Sequence, residues 1–149
     1  MQKKFNDCTA IIATLGERDL RPTLNSLFKG SLKPKSVIIS LPQKFNVKYP
    51  LLYADRLKIV KCPYKSQVMQ RHFGFALSKS FTTLQIDDDV VLHHNCLEKL
   101  VTTIFNLKCK SAVAPLLLWK GTHGSVYQDQ LNRPWWFHWI LNKTFEPLS

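Results

Sequence analysis

The sequence lacks the short glycine motifs of several common α/β enzymes. It holds no Gly-x-x-x-x-Gly-Lys phosphate loop, no Gly-x-Gly-x-x-Gly fingerprint and no Gly-x-Ser-x-Gly elbow. P-loop, dinucleotide-binding and esterase functions lose ground, because each depends on a glycine-shaped turn beside the reacting group. The five histidines form no His-Glu-x-x-His zinc pattern. The four cysteines (Cys8, Cys62, Cys96, Cys109) are widely spaced, with no Cys-x-x-Cys pair. Neither a disulfide framework nor a zinc site is expected, and the thiols read as reduced, as in the cytoplasm. No apolar run reaches the roughly 20 residues that span a bilayer, and Met1 to Asp7 leads into a strand, not a signal peptide. Acidic residues are scarce: 10, against 21 lysines and arginines, for a net charge of +11. That balance suits a polyanionic partner, whether nucleic acid, an anionic membrane surface or a phosphorylated substrate. The basic residues are scattered, with no dense run and no nucleic-acid module. No specific nucleic acid is therefore expected.

What is present is alternation of strand and helix patterns. With 149 residues the chain can bury a genuine core as one domain. Cys8 to Thr14 and Ser36 to Leu41 are short apolar runs rich in β-branched residues, the pattern of buried strands. Between them Leu20, Leu24, Leu27 and Phe28 make a helical stripe. Asp19 is placed to cap that helix, Pro22 is tolerated in its first turn, and Gly30 ends it. Gln43 to Asp55 predicts a loop or short helical turn. Leu57 to Lys61 is a third strand, and Gln67 to Lys79 a helix with Val68, Phe73, Ala76 and Leu77 available to face a sheet. Phe81 to Ile86 is a fourth strand. Asn95 with Glu98 predicts a capping box on a helix whose stripe is Leu97, Leu100, Val101 and Ile104. Ala112 to Trp119 is a last strand, where Pro115 implies an edge or a bulge. The sum is an α/β fold, a Rossmann-type sandwich with a mostly parallel sheet and helices on both faces. The expected organisation is a domain over residues 1–119 and a Trp-rich tail over 120–149.

The fourth strand runs straight into Asp87-Asp88-Asp89. Like charges a few ångströms apart repel by about 1 kcal/mol in water, and by more when partly desolvated. The cluster therefore asks for a cation. A hard divalent ion with oxygen ligands, Mg²⁺ or Mn²⁺, suits it, with phosphate oxygens completing the shell; a solvated acidic turn is the plainer alternative. In open α/β sheets ligands bind beyond the carboxyl ends of the strands. Two polar features lie at such ends, the turn from Thr14 to Asp19 and the cluster Asp87 to Asp89. His93 and His94 follow the cluster and read as exposed turn residues.

In chain order stand a strand, a turn with Thr14 and Arg18, a helix, the Val37-Ile38-Ile39 strand, the helix segment Arg71-His72-Phe73-Gly74, and Gln85-Ile86-Asp87-Asp88-Asp89. From Cys8 to Trp119 this order resembles an inverting family 2 glycosyltransferase of GT-A fold. That family shows Ala-Arg-Asn-x-Gly in the helix and Asp-x-Asp at the strand end. Arg71, Gly74, Asp87 and Asp89 match, and His72 replaces Asn. The resemblance implies a nucleoside-diphosphate-sugar donor and a metal held by Asp87 and Asp89. It implies transfer to a hydroxyl of a glycan or lipid-linked acceptor. It also implies Thr14, Glu17, Arg18, Arg71, Asp87 and Asp88 as donor-binding residues, with Arg71 equally readable as a surface helix arginine. The metal would bridge the diphosphate and stabilise charge on the leaving nucleotide.

Two departures stand out. Ser40-Leu41-Pro42 occupies the place of the family's base-holding Asp, and only Asp129 and Glu146 follow Glu98 as acidic residues. Asp129 is thus the candidate general base. On this resemblance residues 1–119 are the nucleotide-sugar-binding domain and 120–149 a partial acceptor-side segment, the alternative to a Trp-rich tail. The acceptor-side half is otherwise largely missing, so the chain reads as a short variant, a truncated product, or a donor-binding domain dependent on another polypeptide. Two other functions stay open. One is a nucleotidyltransferase, for which only Gly16 stands in the turn after the first strand. The other is a basic binding module for nucleic acid or anionic membrane, with Asp87 to Asp89 structural. In the tail, Trp135, Trp136 and Trp139 lie beside Arg133 and Lys143. They could pack on the sheet, sit at a membrane interface, or stack on a sugar or base. Together with the basic surface they fit peripheral association with the inner face of a membrane.

Overall fold

The computed structural model describes residues 6–107 and 112–115. The chain divides into two units, Met1–Val113 and Ala114–Ser149, and every element below belongs to the first. Four strands, β1 (Cys8–Ala13), β2 (Ser36–Pro42), β3 (Leu57–Cys62) and β4 (Thr82–Asp87), form one sheet in the order β3-β2-β1-β4. Every pairing is parallel. The helices are α1 (Arg21–Phe28), α2 (Gln67–Leu77) and α3 (Cys96–Asn106), with a 3₁₀ helix at Leu51–Arg56. This is the expected α/β fold. All six residues of β1 and all but the first of β2 are buried, which is why these two read as unbroken apolar runs.

The helices lie on both faces of the sheet. Leu24, Leu27 and Phe28 of α1 pack with Ala10, Ile12, Val37, Ile39 and Ile86. Leu97 and Val101 of α3 join Cys8 on that same face. Helix α2 lies opposite, against Ile11. The chain steps from β1 outward to β3, then crosses back to place β4 on the far side of β1. A common right hand for both crossovers requires α1 and α2 to lie on opposite faces, and they do.

Three local expectations need correction. Helix α2 does not face the sheet through Val68, Ala76 and Leu77, which are exposed; its buried residues are Gln70 and Gly74. A Cβ on Gly74 would lie 2.4 Å from Cγ2 of Ile11, so the missing side chain is what lets the helix come this close. The capping box does not form, since Asn95 makes no side-chain cap. Its Oδ1 is bonded to Nδ1 of His93 at 2.9 Å, and Glu98 instead accepts from the Ser31 hydroxyl at 2.7 Å. Asp19 sits one residue before the N-cap, Leu20, yet its carboxylate still accepts from the Arg21 amide at 3.0 Å.

The strand expected over Ala112 to Trp119 lies mostly outside the described residues, and Ala112 to Pro115 form no strand. Asp129 and Trp135 to Trp139 also lie outside them. Among the described residues, no helix is long and apolar enough to cross a membrane.

Candidate functional site

Strand β1 has β2 on one side and β4 on the other, so the direction of winding reverses between β1 and β4. Open α/β sheets bind ligands beyond such a switch point. The register pairs Ala13 with Asp87, which brings the two polar chain segments that follow them side by side.

Thr14 extends β1 by one step, its amide donating to the Ser40 carbonyl at 3.1 Å. Its hydroxyl donates to Oδ2 of Asp88 at 2.6 Å and accepts from the Gly16 amide at 2.9 Å. Gly16 has φ +80°, and a Cβ there would lie 2.0 Å from the Asn46 carbonyl oxygen. Only glycine allows the 43–50 loop to close on this turn. Two residues on, Arg18 reaches Asp89 at 2.7 Å and Asp88 at 3.6 Å. The Arg18 side chain is 60% exposed in both pairs, so each contributes no more than about 1 kcal/mol; they matter for orientation. Helix α1 secures the other strand end, with the Thr23 hydroxyl donating to the Asp88 carbonyl at 3.1 Å.

Gln70 holds the floor. It is 2% exposed, and its Nε2 donates to the carbonyls of Thr14 at 2.7 Å and Ser40 at 2.9 Å. Two carbonyl acceptors fix the amide's orientation, because its oxygen could not face them. One side chain from α2 thus ties the ends of β1 and β2 and holds the residue that binds Asp88.

A cavity of about 390 Å³ opens here, lined by Thr14, Glu17, Arg18, Asp88, Lys65 and Gln70 among others. A neighbouring groove of about 670 Å³ shares Glu17 and Arg18 and runs along Arg21, Lys48 and Tyr49. On its rim Asp19 is held below the usual carboxylate range, chiefly by the Arg21 backbone amide.

The structure therefore brings Thr14, Glu17, Arg18 and Asp88 together, with Asp89 reached through Arg18. Asp87 and Arg71 do not line the cavity; they pair with each other. Arg71 is no surface helix arginine, since its side chain is 24% exposed. Its Nε is buried with no hydrogen-bond partner among the described residues. Serine, leucine and proline at positions 40 to 42 are all buried, so the end of β2 presents no exposed polar side chain. Lys65, Gln67, Gln70 and Thr23 are missing from the sequence-based site. Gln70 had a signal: it stands four residues before a mid-helix glycine and so shares its face.

Whether these residues suit a divalent cation can be judged from their partners. Arg71 takes Asp87, Thr14 takes Asp88, and Arg18 takes Asp89. No group of three His, Cys, Asp or Glu gathers round one point among the described residues. An all-protein cage is thus not offered. One or two carboxylates completed by phosphate oxygens is a usual arrangement for Mg²⁺, and Asp88 is the carboxylate of the cluster that lines the cavity. Lys65 and Arg18 suit an anionic ligand in the same cavity. No family model matches the chain, and no curated protein matches it.

Proposed function

We propose that the crevice binds the diphosphate of a nucleoside-diphosphate sugar, and that the chain is the donor-binding part of a metal-dependent, inverting glycosyltransferase of the family 2, GT-A kind. The supporting observation is the link across the switch point. Thr14 and Arg18 from one strand end meet Asp88 and Asp89 from the other.

Arg18 and Lys65 would neutralise phosphate charge in the cavity, and a charge-assisted hydrogen bond is roughly twice as strong as a neutral one. Asp87 and Asp89 would hold Mn²⁺ or Mg²⁺, whose chemistry is to stabilise charge on the departing diphosphate. Arg71 fixes the Asp87 carboxylate in place. With the end of β2 buried, Glu17 and Gln67 are polar groups of the cavity left to meet the nucleobase. In the reaction the acceptor oxygen bonds to the anomeric carbon as its bond to the diphosphate breaks, and a base takes the acceptor proton. From its place in the sequence alone, Asp129 is the candidate for that base. The acceptor is a glycan or lipid-linked hydroxyl, reached at the inner face of a membrane.

Calorimetric titration with a nucleoside-diphosphate sugar tests this, with and without Mn²⁺, in wild type and Asp89→Ala. Binding should require Mn²⁺ and weaken about tenfold or more in the variant, a loss of at least about 1.4 kcal/mol. The same affinity in all four titrations would sink the proposal.

A further inference from the structure

We propose that Leu51 and Leu52 are a membrane-insertion point, through which the β3 edge of the sheet docks on an anionic phospholipid surface. These adjacent leucines are 86% and 78% exposed, more than any other large apolar residue among those described. Single exposed leucines are ordinary, but this pair is held outward by its neighbours. Tyr53, the next residue, is buried; its ring stacks on Phe28 with centroids 4.5 Å apart, and its hydroxyl donates to Oδ1 of Asn25 at 2.7 Å. The Arg56 guanidinium covers the same Phe28 ring at 5.0 Å. The inward side of the 3₁₀ helix is therefore occupied, and the leucines have no room to fold under it.

Charge selects the occupant. Between residues 44 and 61 stand Lys44, Lys48, Arg56, Lys58 and Lys61, against Asp55 alone. All four lysines are exposed. Leucines entering the acyl boundary with lysines at the headgroups is the pattern of a peripheral contact with anionic lipid. A second copy of the chain would set this basic surface against itself across a two-fold axis. A nucleic acid would meet the lysines and leave both leucines in water. The inference deepens the membrane attachment in the proposed function. It needs nothing from the donor site, and its test shares no readout with donor binding.

The test is co-sedimentation of the full chain with vesicles of phosphatidylcholine containing phosphatidylserine, and with phosphatidylcholine alone. Wild type should partition to the mixed vesicles, Leu51→Ser/Leu52→Ser should lose on the order of tenfold, and Lys44→Glu/Lys58→Glu should lose the preference for phosphatidylserine. All three should share one thermal midpoint, since the substituted positions are exposed. Unchanged partitioning of the leucine variant overturns the proposal. So does a leucine variant that alters self-association in gel filtration, or RNA binding, while vesicle binding stays the same.

Discussion

Gly74→Ala should destabilise the fold by about 2 kcal/mol, although alanine in a helix interior ordinarily gains about 1 kcal/mol over glycine. The added methyl would sit 2.4 Å from Cγ2 of Ile11, far inside van der Waals contact. Ile11 cannot easily give way. It is fully buried, it lies on β1 between β2 and β4, and β-branching stiffens its side chain. Overpacking a well-packed core typically costs about 1–3 kcal/mol, and the upper end applies where both partners are fixed. Gly74→Val should cost more, for the same reason. Urea unfolding measures the shift in midpoint, at a slope that should stay constant. A double-mutant cycle isolates the cause. Ile11→Ala alone should cost about 2–5 kcal/mol, and added to Gly74→Ala it should cost clearly less, because the methyl then fills the space vacated. Strict additivity would show that the contact is not what Gly74 protects.

The same glycine marks where the sequence could and could not be read. Strands β1 and β2 were legible because burial on both faces leaves an uncharged run rich in β-branched residues, which few other structures explain. The α2 face was not. Counting apolar residues points to Val68, Phe73, Ala76 and Leu77, of which Phe73 is half-buried and the others exposed, whereas the buried residues are one with no side chain and one polar, Gln70. Hydrophobic pattern cannot register either. The capping box failed for a related reason: Asn95 and Glu98 had the right spacing, but His93 and Ser31 compete for them in three dimensions. The candidate site was half legible. Position at strand ends was enough to single out Thr14 to Asp19 and Asp87 to Asp89, and the Ala13–Asp87 register joins them. The pairing of each aspartate with its own partner depends on side-chain reach, which spacing does not encode.

Gln70→Glu should be the most damaging single change at the crevice, costing several kcal/mol near neutral pH, as an unpaired buried charge does. The native amide presents its NH₂ to the carbonyls of Thr14 and Ser40, and a carboxylate would set negative oxygen against both. The introduced carboxyl would keep its proton in the folded state, raising its pKa above the unfolded value of about 4.3. A raised folded pKa fixes the direction of the pH effect. The variant should approach its best stability below about pH 4.3 and lose it progressively as pH rises towards the folded pKa. Wild type carries no such group there, so the difference between the two should widen from pH 5 to pH 7.5. Gln70→Leu separates charge from hydrogen bonding. It strands the Thr14 carbonyl, while the Ser40 carbonyl keeps the Thr14 amide, and should cost about 1–3 kcal/mol at every pH. Both variants release Thr14, the donor to Asp88, so nucleotide-sugar binding should fall in each even where the chain remains folded. A Gln70→Glu protein whose melting temperature tracks wild type across this pH range would mean that the side chain turns out to solvent, and that the strand ends hold together without it.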